Sequence, residues 1–248
     1  MVLDACKQRK GVVVMPTVSF ATHCHPPHLE RLHKEGVLLD ILKSHAFPFD
    51  EVLIVHQNCR GIPYRPITEI RHRVIESEDY YPQIFAEYGI KWPDPELDVL
   101  THGLGAAHFW EAHTQNHLIE LKEATGEYIV FADCDTKIIR SGVRSWVEEG
   151  IAVLRNNPMV FCVSPNDGAN GRLTREMSQQ LFLVNAGRMR AGPLGLPWNG
   201  KFDAPAGPMQ EFYGMLEGRI GRLLAEKHWY RYVLSDQHRY WHYNPWEV

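Results

Sequence analysis

Two aspartates separated by one residue, Asp133 and Asp135, directly follow the apolar run Tyr128–Ala132. Two carboxylates at this spacing can converge on a single ion where a strand gives way to a turn. Hard divalent cations such as Mg²⁺ and Mn²⁺ prefer oxygen ligands and commonly share them with phosphate groups. The pair therefore predicts a metal site that faces a diphosphate. The alternative is that both residues only form a turn and cap the helix after it.

The 14 histidines form the second group of residues that could do chemistry. His113 and His117 are four residues apart, a spacing that places two imidazoles on one face of a helix. A second cluster lies within His23–His28. Neither group contains the glutamate of a His-Glu-x-x-His motif or a paired set of cysteines. Solvated or packed histidines are therefore the alternative to a metal site at both places.

The elements that must position these residues alternate between strand and helix. The apolar runs Val12–Met15, which ends at Pro16, and Glu51–Val55 are typical of strands that are buried on both faces. Residues 27–44 between them carry apolar side chains at helical spacing. This β-α-β order predicts a right-handed crossover and a parallel sheet.

The same alternation continues through the middle of the chain. We predict strands over residues 98–100, 128–132 and 159–163, and helices over 106–124 and 141–155. Residues 59–96 hold five prolines and are predicted as an irregular insertion with a helix around 67–88. After Ser164 the alternation weakens, and this part is expected to complete the sheet and to build the pocket of a second substrate.

Length and composition set the class of protein. A chain of 248 residues with 44% hydrophobic and 23% charged residues suits one large globular domain. The net charge of -4, without a dense basic stripe, argues against nucleic acid as a charge-driven partner. The five cysteines are scattered without a CxxC pair, which predicts reduced thiols. Reduced thiols in turn predict a cytoplasmic location. No apolar run approaches the ~18 residues of a transmembrane helix, and contact with a membrane surface is left open.

The segment that leads into the acidic pair resembles a known family. Ala-x-Gly-Glu-Tyr-Ile-x-Phe-x-Asp-x-Asp, over Ala124–Asp135, is similar to the signature of family-2-like glycosyltransferases with the GT-A fold. Val12–Thr17 and Glu51–Val55 look like that family's first two strands. The resemblance implies an α/β fold, a single GT-A-like domain whose Rossmann-like, mainly parallel sheet is flanked by helices. Residues 11–165 would form its nucleotide-sugar-binding half and residues 166–248 its acceptor-binding half.

The resemblance also implies roles for single residues. Asp133 would approach the ribose or the metal, and Asp135 would ligate the metal. Pro16 and Thr17 would lie near the base or the ribose. Further donor-binding positions are Val18, Gln57, Gly105, His113 and Cys134.

Two departures from the family pattern affect the donor site. The acidic residue that reads the base after strand two is replaced by His56-Gln57-Asn58, so the base is left open. The family's Ala-Arg-Asn helix start corresponds at best to Thr114-Gln115-Asn116.

An inverting transferase needs a base that deprotonates the acceptor hydroxyl. In the family this base lies in a Glu-Asp pair at the start of a late helix, and Glu211 takes that place here. Its alternative role is that of a first-turn carboxylate that complements the helix dipole. Asp203 and Asp236 are secondary choices.

Several GT-A enzymes complete the metal site with a C-terminal histidine. His238 is preferred for this role over His242, and a structural role is the alternative. Arg188 and Arg190 could meet an anionic acceptor or be solvated.

These features predict a metal-dependent glycosyltransferase that uses Mn²⁺ or Mg²⁺. It would move a sugar from a nucleotide-diphosphate donor to an acceptor hydroxyl, with inversion. The acceptor could be a glycan, a lipid, a small molecule, a protein or a nucleic acid. One alternative, a nucleotidyltransferase, would show a glycine-rich loop after the first strand, and Pro16–Phe20 lacks one. The others are a zinc-dependent hydrolase that uses His113 and His117, and a non-catalytic nucleotide-sugar-binding module.

Overall fold

The computed structural model describes residues 15–34, 36–64, 71–80, 83, 116–166, 172–175, 177–178, 180–192 and 216–242. Several predicted features lie outside these residues: Val12–Val14, the strand over 98–100, Gly105, His113, Asp203 and Glu211.

The strands of the described residues are β1 (Val18–Cys24), β2 (Glu51–His56), β3 (Arg73–Glu76), β4 (Tyr128–Asp133), β5 (Thr136–Arg140), β6 (Val160–Ser164), β7 (Arg172–Thr174), β8 (Leu181–Asn185), β9 (Tyr230–Val233) and β10 (Arg239–His242). The helices are α1 (Pro26–Lys34), α2 (Val37–Ser44), α3 (described over residues 116–123), α4 (Trp146–Asn156), α5 (Ala186–Ala191) and α6 (Leu216–Glu226), and a 3-10 turn spans Ser77–Asp79.

One large sheet contains eight of these strands in the order β3-β2-β1-β4-β8-β6-β9-β7. β1 runs parallel to β2 and β4, and β2 runs parallel to β3. β8 lies antiparallel between β4 and β6. The expected α/β fold with a mostly parallel central sheet is therefore confirmed. β5 and β10 pair separately as an antiparallel ribbon.

Helices cover both faces of the sheet. Apolar side chains of α1, α2 and α4 pack on one face, where Trp146 is fully buried. Side chains of α3, α5 and α6 pack on the other face, around Phe131 and Phe182. No helix in the described ranges has the length and apolar character that crossing a membrane requires.

The first strand of the sheet differs from the prediction. It spans Val18–Cys24, so Pro16 precedes the strand and does not end it. All seven residues of β1 are buried although Ser19, Thr22 and His23 are polar. The Ser19 hydroxyl donates to Glu51 Oε2 at 2.6 Å, so a partner far along the chain makes its burial tolerable.

Two predicted helices also differ from the structure. The helix over 27–44 is divided into α1 and α2 at Gly36, whose φ of 67° lies in the left-handed region that favours glycine. Over residues 71–80, within the predicted helix 67–88, the chain forms β3 and a 3-10 turn, whereas Gln83 is helical. The predictions for β2, β4, α4 and β6 are confirmed within a few residues at their ends.

Gly126 fits a narrow gap between β1 and β4 at the amino edge of the sheet. Its amide donates to the Ser19 hydroxyl at 2.9 Å. A Cβ atom added there would lie 2.6 Å from the backbone nitrogen of Ser19 and 2.8 Å from the carbonyl oxygen of Tyr128. Glycine is thus required because two backbones approach each other closely.

We expect Gly126→Ala to lower the free energy of unfolding by about 1–3 kcal/mol, because backbone atoms cannot move aside as a side chain can. Urea denaturation followed by circular dichroism measures this change. Gly221→Ala is the matched control, since the nearest atom to its added Cβ is 3.9 Å away and alanine favours a helix. Equal stability of the two variants would contradict the close approach at Gly126.

Candidate functional site

The carboxyl ends of β1 and β4 meet at the topological switch point of the sheet. β2 and β3 extend from one side of β1, and β4 pairs with its other side. Ligands of open α/β sheets bind beyond the carboxyl ends of the strands at such a point. His23 of β1 lies directly opposite Asp133 of β4, and His23 Nε2 is 3.9 Å from Asp133 Oδ1.

The turn after β4 presents two carboxylates. Asp133 and Asp135 are partly exposed, whereas Cys134 between them is buried. The Cys134 thiol lies 3.3 Å from His28 Nδ1, and burial, together with the charges of the two aspartates, raises the pKa of this thiol well above its usual value. Because strand β5 follows, the alternative that the pair caps a helix is wrong.

Cys134 and Gln57 anchor the edge of this site. Cys134 points into the protein, so it positions the aspartates on either side of it. Gln57, directly after β2, accepts a 2.8 Å hydrogen bond from Asn116 Nδ2 of α3. Its backbone amide donates to the carbonyl oxygen of Cys24 at 2.8 Å. Gln57 therefore lies at the carboxyl edge, where a donor-binding residue was predicted.

Neutral histidines surround the ends of β1 and β2. Burial lowers the pKa of His25, His33 and His56 to about 4 each, so all three are uncharged at neutral pH. His56 Nδ1 lies 3.2 Å from Glu76 Oε1. This edge thus has an acidic residue, but it comes from β3 and not from the segment after β2.

His23, His117 and Glu120 form a buried triad on the face of the sheet that α3 covers. Glu120 Oε1 is 3.0 Å from His23 Nδ1, and Glu120 Oε2 is 2.8 Å from His117 Nδ1. The side chains of Glu120 and His117 are 0% exposed and that of His23 is 2% exposed. Burial acts to raise the pKa of the Glu120 carboxyl, but the charges and hydrogen bonds of His117 and His23 leave it lowered.

Neither Glu120 nor the contact of His23 with it is predicted from the sequence. The available signal was the placement of Asn116, His117 and Glu120 within the short apolar helical segment 116–121, all of which is buried. The three triad residues have ligand atoms within 4.8 Å of one another, a spacing that could also hold a metal ion. The sequence predicts a pair of His113 and His117, whereas the structure groups His117 with His23 and Glu120. His113 lies outside the described residues.

Pro16, Thr17 and Val18 lie at the opposite end of the sheet from Asp133. Val18 pairs with Tyr128 at the amino end of β4, and the Thr17 hydroxyl accepts from the amide of Glu127 at 3.1 Å. At ~3.3 Å per strand residue, Thr17 and His23 are about 20 Å apart. The prediction that these three residues surround the base or the ribose at the Asp133 site is therefore corrected, and His23–His25 occupy that end of β1.

His238, which the sequence predicts as a metal ligand, contacts protein groups through its imidazole. Its Nε2 lies 2.8 Å from Glu149 Oε2, and its Nδ1 accepts from the amide of Gly142 at 3.3 Å. On the β5–β10 ribbon it lies beyond Arg140, whereas the backbone of His242 pairs with Thr136, next to Asp135. Both ring nitrogens of His238 thus have protein partners at the far end of the ribbon.

The other charged residues that the sequence offers for the acceptor site and for the base form hydrogen bonds within the protein. The Arg188 guanidinium donates to the carbonyl oxygen of Val160, and Arg190 Nη2 donates to the carbonyl oxygens of Leu121 and Ala124 at 2.9 Å each. Arg190 thereby binds the carboxyl end of α3. Asp236 Oδ1 accepts from Asn166 Nδ2 at 2.8 Å.

No protein-family model and no curated protein sequence matches the chain. Solved structures of GT-A glycosyltransferases are similar to it in fold. One is S. aureus TarS 1-349, with 14% identity and a TM-score of 0.43 over 92% of this chain and 61% of that chain.

Two further structures were obtained as complexes. Glucosyl-3-phosphoglycerate synthase from Mycobacterium tuberculosis with Mn²⁺, uridine diphosphate and phosphoglyceric acid has 16% identity and a TM-score of 0.36, over 69% of this chain and 56% of that chain. The mannosyltransferase PcManGT from Pyrobaculum calidifontis with GDP-Man and Mn²⁺ has 15% identity and a TM-score of 0.35, over 74% of this chain and 49% of that chain. The chain thus spans about half to three fifths of the length of these three structures.

We expect His238→Ala to lower the free energy of unfolding by about 1–3 kcal/mol, since it removes a buried imidazole together with its hydrogen bonds to Glu149 and Gly142. Urea denaturation measures this loss, and the exposed neighbour Gln237 provides the control variant Gln237→Ala. Unchanged stability of His238→Ala, together with weaker Mn²⁺ binding, would instead assign His238 to the metal.

Proposed function

We propose that the chain is a metal-dependent glycosyltransferase whose nucleotide-diphosphate sugar binds at the carboxyl edge between β1 and β4. The observation that carries this proposal is the pair of partly exposed aspartates at the topological switch point, on either side of the inward-pointing Cys134. The sugar would pass to an acceptor hydroxyl with inversion.

The residues at this edge fit a divalent cation. Asp133 and Asp135 supply the carboxylate oxygens that Mg²⁺ and Mn²⁺ prefer. Two carboxylates would repel a diphosphate, because like charges at short range raise the energy of the complex. A bound cation supplies the positive charge that stabilises the diphosphate as it leaves. The backbone of His242 pairs with Thr136 next to Asp135, so His242 is the second histidine, beside His238, to test as a metal ligand.

The chain's own residues would orient the donor. His25, neutral at pH 7 because burial lowers its pKa to about 4, lies close enough to Asp135 to feel its charge. Gln57 is hydrogen-bonded to Asn116 and would line the β2 side of the donor site with an uncharged side chain. Glu211, which lies outside the described residues, would take the proton of the attacking hydroxyl.

The alternative enzymes fit the structure less well. β1, the first strand among the described residues, passes into α1 through His25 and Pro26, and this connection also lacks the glycine-rich loop of a nucleotidyltransferase. The side chains of His23, His117 and Glu120 are at most 2% exposed, whereas the zinc of a hydrolase keeps one coordination position open to water and substrate.

Asp135→Asn should abolish the metal-dependent binding of a nucleotide diphosphate, because it removes one of the two anionic ligands. A thermal-shift titration with UDP and GDP, with and without Mn²⁺, measures this, since a ligand of the folded state raises the melting temperature. Asp40→Asn, an exposed aspartate in α2, is the matched control. A metal-dependent shift in Asp135→Asn equal to that of the wild type would contradict the proposal.

Glu211→Gln should abolish sugar transfer and leave donor binding intact, because glutamine cannot accept the acceptor's proton. Turnover is followed with a panel of UDP- and GDP-sugars and acceptors, and donor binding with the same thermal shift. Transfer at the wild-type rate would remove Glu211 from the mechanism without affecting the assignment of the donor site.

A further inference from the structure

The triad beneath the switch point connects helix α3 to the first aspartate of the acidic pair. Glu120 lies between the two imidazoles, at 3.0 Å from His23 Nδ1 and 2.8 Å from His117 Nδ1. The other ring nitrogen of His23 faces Asp133 Oδ1 at 3.9 Å. A continuous line of polar groups therefore runs from the interior of the protein to the edge of the site.

The geometry fixes which groups donate. An ionised carboxylate only accepts hydrogen bonds. The fully buried Glu120 carboxyl has a lowered pKa, which favours its ionised form. The Nδ1 atoms of His23 and His117 must therefore be its donors. With Nδ1 committed to Glu120, the His23 ring cannot turn freely, and its Nε2 stays directed at Asp133. His117 is held in turn by edge-to-face contacts with Phe131 and Phe182, which prevent Glu120 from moving away.

Stability alone does not account for this arrangement. Burying a carboxylate costs several kcal/mol of desolvation, and an apolar side chain of similar volume is often neutral or stabilising in its place. The neighbours Leu118, Ile119 and Leu121 on α3 are buried and apolar, so a leucine at position 120 would suit this face of the sheet. Because burying Glu120 costs stability, we expect the triad to orient a group outside it.

Asp133 is the group that this line of contacts reaches. It is His23's direct neighbour in the β1–β4 register and projects from the same face of the sheet. A separation of 3.9 Å is longer than a direct hydrogen bond, and a small rotation of the carboxylate or one bridging water would close it. His23 thus restricts the orientations that Asp133 can adopt.

We propose that Glu120 is a positioning residue of the donor site, which acts through His23 to orient the Asp133 carboxylate for the metal-bound diphosphate. This inference rests on the proposed function, since it concerns how the same site is held in shape. Neither Glu120 nor His117 touches the donor. Substitutions of the triad would therefore change the affinity for the metal–nucleotide complex from beneath the site.

The test compares Glu120→Gln, His23→Leu and His23→Gln with the wild type. Isothermal titration gives the dissociation constant for Mn²⁺ with UDP or GDP, whichever the wild type binds more tightly. Urea denaturation gives the stability of each variant. His45→Gln is the matched control, because His45 is also fully buried and bonded, to Trp146 Nε1 at 2.9 Å, but lies on the other face of the sheet.

We expect Glu120→Gln and His23→Leu to weaken binding at least about tenfold, a loss typical of a residue that orients a metal ligand. His23→Gln keeps a polar group toward Asp133 and should recover most of this affinity. His45→Gln should lose stability and bind within about twofold of the wild type. If Glu120→Gln does not fold, the two His23 variants alone decide the outcome.

Three results would overturn the inference. Wild-type affinity in both Glu120→Gln and His23→Leu would remove the positioning role and leave the donor site itself intact. An equal loss in His45→Gln would reduce the effect to general stability. One tightly bound zinc per chain, measured by elemental analysis and lost in His117→Asn, would make the triad a metal site. An absence of Mn²⁺-dependent nucleotide binding in the wild type is a different outcome, since it defeats the proposed function first and this inference with it.

Discussion

The parallel register between β1 and β4 is the constraint on which the site depends. It places Val18 opposite Tyr128 at one end and His23 opposite Asp133 at the other. A slip of one residue would turn His23 to the opposite face of the sheet and separate it from Asp133 and Glu120. The register is locked at the amino edge, where Gly126 admits the backbone of Ser19 and Glu51 accepts hydrogen bonds from Ser19 and Thr125. The Gly-Glu-Tyr segment at the start of β4 is thus explained by packing at the amino end of the strands, and the acidic pair lies at their carboxyl end.

The electrostatics of the carboxyl edge favour a cation that binds together with an anionic ligand. His25, His33 and His56 are uncharged at neutral pH because burial lowers the pKa of each. Asp133 and Asp135 retain the exposure to water that ionised carboxylates need. Inside the protein the Glu120 carboxylate has no exposure to water and is stabilised by hydrogen bonds to two imidazoles. The edge thus combines an outer carboxylate pair that is open to a ligand with an inner carboxylate that is already satisfied.

The sequence predicts the α/β class, the strand β4 and the acidic turn, because each is encoded in neighbouring residues. The position of β1 was missed, since Val12–Met15 is more apolar than a strand that contains Ser19, Thr22 and His23. Those polar residues are tolerated through partners that only the fold brings together, such as Glu51 for Ser19 and Glu120 for His23. The partners of His238 could not be predicted either, because the pairing of β10 with β5 decides which backbone segment lies next to Asp135. Local patterns therefore predict the strand and the acidic turn, and long-range pairing decides which residues lie beside them.

Paramagnetic broadening of backbone amide signals by Mn²⁺, in the presence of UDP or GDP, locates the bound metal in the fold. Signals of His23, Cys134 and Asp135 should disappear at low Mn²⁺ concentrations, while those of Val18 and Gly126, at the opposite edge of the sheet, should persist. Broadening that is centred on the amino edge, or that is the same in Asp135→Asn, would contradict the assignment of the metal–diphosphate site to the carboxyl ends of β1 and β4.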